Sequence, residues 1–304
     1  MASTHEPSTF VISLTAFGAD GTLDEQGLRG HLRRMAAAGI GVYLAGSGSG
    51  EGYTLSPAEV RRVLEIGADE LGGTVPVRAM GVEPRSAAQM IELARVAQDC
   101  GMEAVQLYSL DQGHGNRPRP DELERYLRDV LEAVEIPMVI SSHQAAGYYV
   151  PPTLLGALVA EYGVLGLNIT NTDITYLVDV LAAVDGRAEV HVGGPMLATV
   201  ALALGATGFL SSDGNLAPKL CVRLVEQHLA GELAARDETY RALMELFTIT
   251  RKLGGISAAK GALVALGQPG GYPRRPRLPV SDEAGRRLAD ALGDLGIAAG
   301  EDLG

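Results

Sequence analysis

Lysine is the residue that this chain most clearly lacks. Only three of its 304 residues are lysines, and the first of them is Lys219. Reactions that begin by condensing a protein amine with a carbonyl need a lysine whose amine is nucleophilic near neutral pH. Only Lys219, Lys252 and Lys260 could supply such an amine. We expect all three to lie on exposed helices outside a barrel lumen, with an ordinary pKa and almost no free amine at pH 7.

Three other features are scarce, and each excludes a class of protein. Cys100 and Cys221 form neither a metal-binding spacing nor a disulfide framework, which favours a reducing, cytoplasmic location. No apolar run approaches the length of a membrane span, and the start MASTHEPSTF lacks the pattern of a secretory signal. A net charge of −12 disfavours nucleic acid as a partner. A small-molecule partner remains the expectation.

Short apolar segments alternate with helical patterns along the chain. Each segment is too short for a helix and is bounded by turn residues, as buried parallel strands are. The segments are 9–14, 41–46, 75–81, 103–108, 137–142, 164–170, 188–194 and 207–212. Eight strand–helix units predict an α/β fold, a (β/α)8 TIM barrel over 1–230, more readily than a doubly wound sheet. Helical stretches near 233–253, 256–267 and 282–294 predict a C-terminal helical appendage over 231–304.

Local signals support several of the helices. Residues 56–59, Ser-Pro-Ala-Glu, form a capping box with proline at the first helical position, and 86–89 resemble a second cap. Leu28, Leu32 and Met35 fall on one helical face.

The segment GSGSGEGYTLSPAEV at 46–60 follows the second predicted strand. Its glycines expose backbone N–H groups beside a helix N-terminus, an arrangement that suits a carboxylate or phosphate. The segment matches neither the P-loop nor the G-x-G-x-x-G pattern. Two interpretations stay open: an anion-binding loop, or a tight loop whose glycines serve backbone geometry.

This loop resembles the Gly-Thr-Thr-Gly-Glu signature of the dihydrodipicolinate synthase/N-acetylneuraminate lyase family. Similar stretches continue through most of the chain, at 12–32, 136–142, 202–220, 258–267 and 270–283. The resemblance implies a barrel with C-terminal helices, usually in a homotetramer, that acts on pyruvate or related 2-oxo acids. It also implies that Gly48, Ser49, Gly50 and Glu51 bind the substrate carboxylate.

The match to that family breaks at the residues that carry its chemistry. By the resemblance, the Schiff-base lysine of the sixth strand is replaced by Asn168, and the relay tyrosine of the fifth strand by Ser141. The paired tyrosines after the fourth strand become Tyr108 and Ser109, so the one that reaches a neighbouring subunit is lost. The arginine of the fifth-strand motif becomes Ala146. These changes remove both the electron sink and the proton relay.

Four residues are the candidates for catalysis. His143 can be a general base near neutral pH, and it shares a side with Ser141 if the strand continues to 143. Asn168 can donate a hydrogen bond to a substrate oxygen, and Tyr108 can be a donor or an acid. The alternatives are a loop histidine satisfied by a backbone carbonyl and an asparagine that merely fills the barrel.

Two further regions carry polar groups whose use the sequence leaves open. The segment 109–120 is either a lid that presents arginines to an anion or a solvated loop. Asp111, His114 and His143 form only a weak metal-ligand pattern, so we expect no metal and no cofactor. Asp213 is either an acid or base or the N-cap of the next helix.

These observations favour a lyase-like enzyme that works on a small carboxylate-bearing substrate, expected to be a 2-oxo acid, without a lysine Schiff base. Dehydration, isomerisation and retro-aldol cleavage all fit. One alternative is a non-catalytic paralogue that binds a metabolite or assembles with an active homologue, which an apolar barrel mouth would favour. Another is a Schiff-base enzyme with a displaced lysine. The expected assembly is a homotetramer or dimer.

Overall fold

Eight parallel strands form a closed barrel in sequential order, which confirms the predicted TIM barrel. The computed structural model describes residues 5–6 and 8–303. The strands are β1 (Ser8–Ile12), β2 (Gly41–Leu44), β3 (Val77–Ala79), β4 (Ala104–Leu107), β5 (Met138–His143), β6 (Gly166–Thr170), β7 (Glu189–Gly193) and β8 (Gly208–Ser211). Each strand lies inside its predicted segment or extends beyond it by one residue.

A helix follows every strand, as the alternating pattern predicts. The helices are α1 (Glu25–Ala38), α2 (Pro57–Leu71), α3 (Ala87–Asp99), α4 (Pro120–Ala133), α5 (Pro152–Tyr162), α6 (Ile174–Val184), α7 (Ala198–Ala203) and α8 (Pro218–Leu229). Four more follow: α9 (Leu233–Leu253), α10 (Ile256–Ala265), α11 (Asp282–Asp294) and α12 (Ile297–Gly300). The last of these was not predicted.

The predicted caps form as hydrogen bonds. Ser56 accepts from the backbone N–H of Glu59, whose carboxylate accepts from the N–H of Ser56. Ser86 likewise caps α3, but there Gln89 turns its side chain to the N–H of Arg85. Such caps satisfy backbone donors that a helix leaves unpaired at its start.

Alternation along β5 decides which side chains face the barrel interior. The Ser142 hydroxyl lies 2.6 Å from the hydroxyl of Tyr176 on α6, so Ser142 faces the helices. Ser141 and His143 therefore face the opposite side. Because β5 extends to His143, the predicted common side of these two residues is confirmed.

The chain divides into two compact units. One spans Arg78–Leu210, and the other comprises Ser8–Val77 with Ser211–Gly304. The second unit contains the C-terminal helices, where a side chain on Gly285 of α11 would collide with the backbone of Gly261 on α10. The boundary between 230 and 231 stays a prediction. In the part of the chain that the structure describes, no helix is long and apolar enough to cross a membrane.

Candidate active site

Three polar residues lie in register on adjacent strands of the Arg78–Leu210 unit. Asn168 pairs with Ser141 on one side and with His191 on the other. Paired residues of parallel strands face the same way, so all three face the barrel interior. Their exposed fractions are only 0–3%. The hydroxyl of Ser109 donates to the Ser141 carbonyl at 3.2 Å, which ties the end of β4 to β5.

The amide of Asn168 has one hydrogen-bonding atom paired and one unpaired. Its Nδ2 donates to Oε1 of Gln106, a buried residue of β4, at 2.6 Å. Its Oδ1 is buried and has no hydrogen-bond partner among the described residues. A buried polar atom without a partner costs about 1–3 kcal/mol. The Oδ1 atom can therefore still accept a hydrogen bond from a ligand or a water molecule.

Two charged residues also face the barrel interior, in the next layer of side chains along the strands. Arg78 on β3 contacts Glu189 on β7 through two hydrogen bonds of 2.8 and 3.1 Å. Burial opposes ionisation of Glu189, but Arg78 overcomes it and holds the pKa of that carboxyl below its usual value. Burial lowers the pKa of His191 to about 4, against the opposing charge of Glu189. This part of the interior is thus polar, with a neutral imidazole at pH 7.

His143 lies at the carboxyl end of β5. Burial lowers the pKa of its imidazole, while the nearby Glu83 carboxylate acts in the opposite direction. The ring is therefore neutral at pH 7, the form that accepts a proton. Glu83, in the segment after β3, was missed by the sequence reasoning, because nothing in its neighbours marks it as facing β5.

Two tyrosines flank this end of the unit. Tyr108 follows β4 and is 5% exposed, and its carbonyl accepts from the hydroxyl of Tyr126 on α4 at 2.8 Å. Tyr148 donates to the carbonyl of Leu110 at 2.9 Å. Burial raises the pKa of Tyr148 to about 12, so it is a poor acid near neutrality.

The 48–51 loop belongs to the other unit. The Ser49 hydroxyl is buried and donates to the hydroxyl of Ser212, after β8, at 2.6 Å. Gly50 packs so close to the chain at Gly46 that a Cβ there would lie 2.8 Å from the backbone nitrogen. Gly48 is exposed, and its carbonyl accepts from Arg277 at 3.2 Å. Backbone geometry therefore requires glycine at position 50, in line with the interpretation of a tight loop whose glycines serve backbone geometry.

Glu51 is fully buried and its carboxylate is occupied. Its backbone has a φ of 52°, and its Oε1 lies 2.5 Å from Nζ of Lys260 on α10. The same ammonium donates to the carbonyls of Thr15 and Tyr272 at 2.7 and 2.9 Å. The second carboxylate oxygen accepts from the backbone N–H of Arg274 at 2.9 Å. Glu51 thus joins the loop to the C-terminal helices.

The prediction that all three lysines are exposed is wrong for Lys260. Its side chain is 0% exposed, and burial lowers its pKa to about 8, although Glu51 acts to raise it. Three acceptors surround the ammonium, one for each N–H. The prediction holds for Lys252 on α9, while Lys219 is half-buried and contacts Asp302 at 2.5 Å.

Asp213 is not the N-cap of α8, a position that Ala217 occupies. The Asp213 carboxyl is buried and accepts from the hydroxyl of Ser211 at 2.5 Å. Burial raises its pKa to about 6, against the effect of that hydrogen bond. This carboxyl can exchange a proton in the physiological range.

The 109–120 loop is fixed mainly by local contacts. Asp111 accepts from the backbone N–H of Gly113 at 2.8 Å and lies 3.4 Å from the guanidinium of Arg85. Arg119 precedes α4 and pairs with acidic residues of its first turn. Most of the loop is exposed, as the solvated-loop interpretation expects. No cluster of potential metal ligands is found among the described residues.

Known proteins resemble nearly the whole chain. Residues 7–295 match the dihydrodipicolinate synthetase family. The 4-hydroxy-tetrahydrodipicolinate synthase of Methanothrix thermoacetophila is 30% identical over 294 residues, 96% of this chain and 98% of that protein. The enzyme of the same name from Methanopyrus kandleri is 29% identical over 282 residues, 90% of this chain and 91% of that one. A crystal structure of a dihydrodipicolinate synthase has a TM-score of 0.86 at 26% identity, covering 96% of this chain and 99% of that one.

Proposed function

We propose, from the premise that the chain belongs to the dihydrodipicolinate synthetase family of lyase-type enzymes, that it acts on a small carboxylate-bearing 2-oxo acid without forming a lysine Schiff base. The reaction class is dehydration, isomerisation or retro-aldol cleavage. All three pass through an enolate-like charge beside the carboxylate. A barrel that lacks an amine must stabilise that charge by hydrogen bonds alone.

The observation that carries the proposal is the identity of the buried residue on β6. The Arg78–Leu210 unit contains no lysine, and its interior presents the amide of Asn168 instead. An amide nitrogen is delocalised into its carbonyl and does not condense with ketones. Its second N–H can still donate to an oxygen that gains negative charge. Asn168 is therefore the proposed enolate-stabilising group.

We assign proton transfer to His143. Its imidazole is neutral at pH 7 and lies at the carboxyl end of β5, the end of a barrel where active sites are built. Ser141 lies on β5 itself and Tyr108 follows the neighbouring strand β4, and these two residues are the proposed assisting groups. The polar interior supports this enzymatic interpretation, whereas a site filled by apolar side chains would have favoured a non-catalytic paralogue.

In the other unit, the loop formed by Gly48, Ser49, Gly50 and Glu51 is the proposed carboxylate-binding segment. Ser49 supplies a hydroxyl, and the loop precedes the N-terminus of α2, where backbone N–H groups favour an anion. The proposed role of Glu51 is positional, because its two oxygens already bind Lys260 and Arg274.

The assay for the proposal is turnover of a panel of small 2-oxo acids by the enzyme and by His143→Ala. We expect kcat to fall by roughly 10²–10⁴-fold, the usual size of a general acid–base contribution. His143→Gln is the matched variant, since it keeps a polar side chain but cannot take up the proton. Full activity in both variants would remove His143 from the mechanism.

We also propose a cytoplasmic homotetramer or dimer. Exposed apolar side chains recur every four residues on α6 and from the turn before α7 to the C-terminal cap of α7, as on a surface that another subunit would cover. They are Ile174, Val178, Met196, Val200 and Leu204.

A further inference from the structure

Gln106 and Asn168 form a buried pair of amides joined by one hydrogen bond. The side chains come from β4 and β6, and both are 2% exposed. The 2.6 Å bond runs from Nδ2 of Asn168 to Oε1 of Gln106. Because Gln106 accepts that bond from Nδ2 of Asn168, the Oδ1 atom of Asn168 points away from Gln106.

The unpaired Oδ1 of Asn168 is the second observation. It is buried and has no hydrogen-bond partner among the described residues. A buried acceptor of this kind is costly unless a donor reaches it. The other N–H of Nδ2 lies on the same amide. Asn168 thus offers one acceptor and one further N–H donor on the same amide.

A ketone oxygen can use only half of this pattern. It accepts from the N–H of Nδ2, but it has no hydrogen for Oδ1. A hydroxyl group donates to Oδ1 and accepts from the N–H, so it satisfies both atoms. We propose that the Gln106–Asn168 pair is a specificity site for a hydroxyl group on a small carboxylate ligand. The inference rests on the proposed function and narrows its substrate class to 2-oxo acids that also carry a hydroxyl group.

The residues around Asn168 favour a neutral hydrogen-bond donor on the ligand over a cationic one. Arg78 and Glu189 neutralise one another through their two hydrogen bonds, so the interior holds no unpaired carboxylate from this pair to attract an ammonium. Burial keeps His191, the register partner of Asn168, in its neutral form. A hydroxyl therefore fits this surrounding better than an amine does.

The experiment compares four three-carbon acids that differ in the oxygen group on their carbon chain. They are propionate, pyruvate, lactate in both enantiomers, and 3-hydroxypropionate. Dissociation constants are measured by isothermal titration calorimetry on the parent enzyme. At least one hydroxy acid should bind about fivefold to tenfold more tightly than propionate and pyruvate, the size of one or two net hydrogen bonds. Equal binding of all four acids, or no binding of any hydroxy acid, would overturn the inference.

Two variants test the pair itself. In Asn168→Leu, which keeps the branched shape of the side chain but removes both polar atoms, the preference for the hydroxyl should disappear. In Gln106→Met the amide of Asn168 is free to turn over, so pyruvate should gain affinity and the preference should shrink. Thr170→Val, on the same face of β6, is the control and should keep the parent preference. An unchanged preference in Asn168→Leu would refute the specificity site, because the preference would then come from other residues.

The outcomes separate the two proposals. Binding of pyruvate without any preference for a hydroxyl would leave the proposed 2-oxo acid chemistry in place and refute only the specificity site. A hydroxyl preference that depends on Asn168, with no effect of His143→Ala on turnover, would support the specificity site and refute the proposed role of His143.

Discussion

Removing the buried ammonium of Lys260 should destabilise the enzyme far more than removing any exposed lysine. Lys260→Met takes away the partner of the Glu51 carboxylate and leaves the carbonyls of Thr15 and Tyr272 without their donor. Methionine fills a similar volume, so packing changes little. The cost comes from a buried charge left with one backbone N–H, which amounts to about 3–5 kcal/mol.

The double variant with Glu51→Gln separates the charge effect from the loss of hydrogen bonds. Glutamine removes the uncompensated charge, so the pair Lys260→Met with Glu51→Gln should recover a large part of the lost stability. Lys252→Met, on the exposed face of α9, is the matched control and should change the free energy of unfolding by no more than about 0.5 kcal/mol.

Urea unfolding followed by circular dichroism gives these free energies. We expect a lower midpoint for Lys260→Met with an unchanged slope. A loss below about 1 kcal/mol, or a double variant no more stable than Lys260→Met alone, would refute the reasoning that the ion pair holds an otherwise unpaired charge.

Two further predictions concern pH and assembly. His31 on α1 and His191 on β7 are fully buried, and burial lowers their folded-state pKa values to about 3 and about 4. The unfolded chain therefore binds more protons between pH 6.5 and 4, and stability should fall by several kcal/mol as pH falls through that window. The raised pKa of Asp213, about 6, opposes this loss with a smaller shift; a free energy of unfolding that is flat from pH 7 to 4.5 would contradict the account. Sedimentation at micromolar concentration should show an oligomer that Val178→Glu with Val200→Glu dissociates, and a monomeric parent would refute the proposed assembly.

Sequence patterns predicted the fold well because barrel strands and their helices are local features. The alternation of short apolar segments with capped helices needs no knowledge of distant contacts. Ser56 shows this, since its capping partner is three residues away and the predicted bonds form. The boundaries of α9 and α11 were predicted to the residue for the same reason.

The interior polar groups were harder to predict because their partners are far away in the chain. Lys260 was expected to be exposed, yet its carboxylate partner lies 209 residues earlier. Gln106 meets Asn168 across 62 residues, and only the register of β4 to β6 brings them together. Alternation within β7 did carry a usable signal, because Glu189 and His191 lie two apart and must share a face.

Borohydride trapping tests the central claim, that catalysis here proceeds without an imine. The enzyme is incubated with pyruvate and sodium borohydride, and adducts are read by intact mass. We predict no stoichiometric adduct: the ammonium of Lys260 is surrounded by three acceptors, Lys219 is paired with Asp302, and Lys252 is exposed on α9. Asn168→Lys should gain an adduct at position 168 if the interior retains the geometry for condensation. A full adduct on the parent enzyme, mapped to Lys219 or Lys260, would contradict the claim.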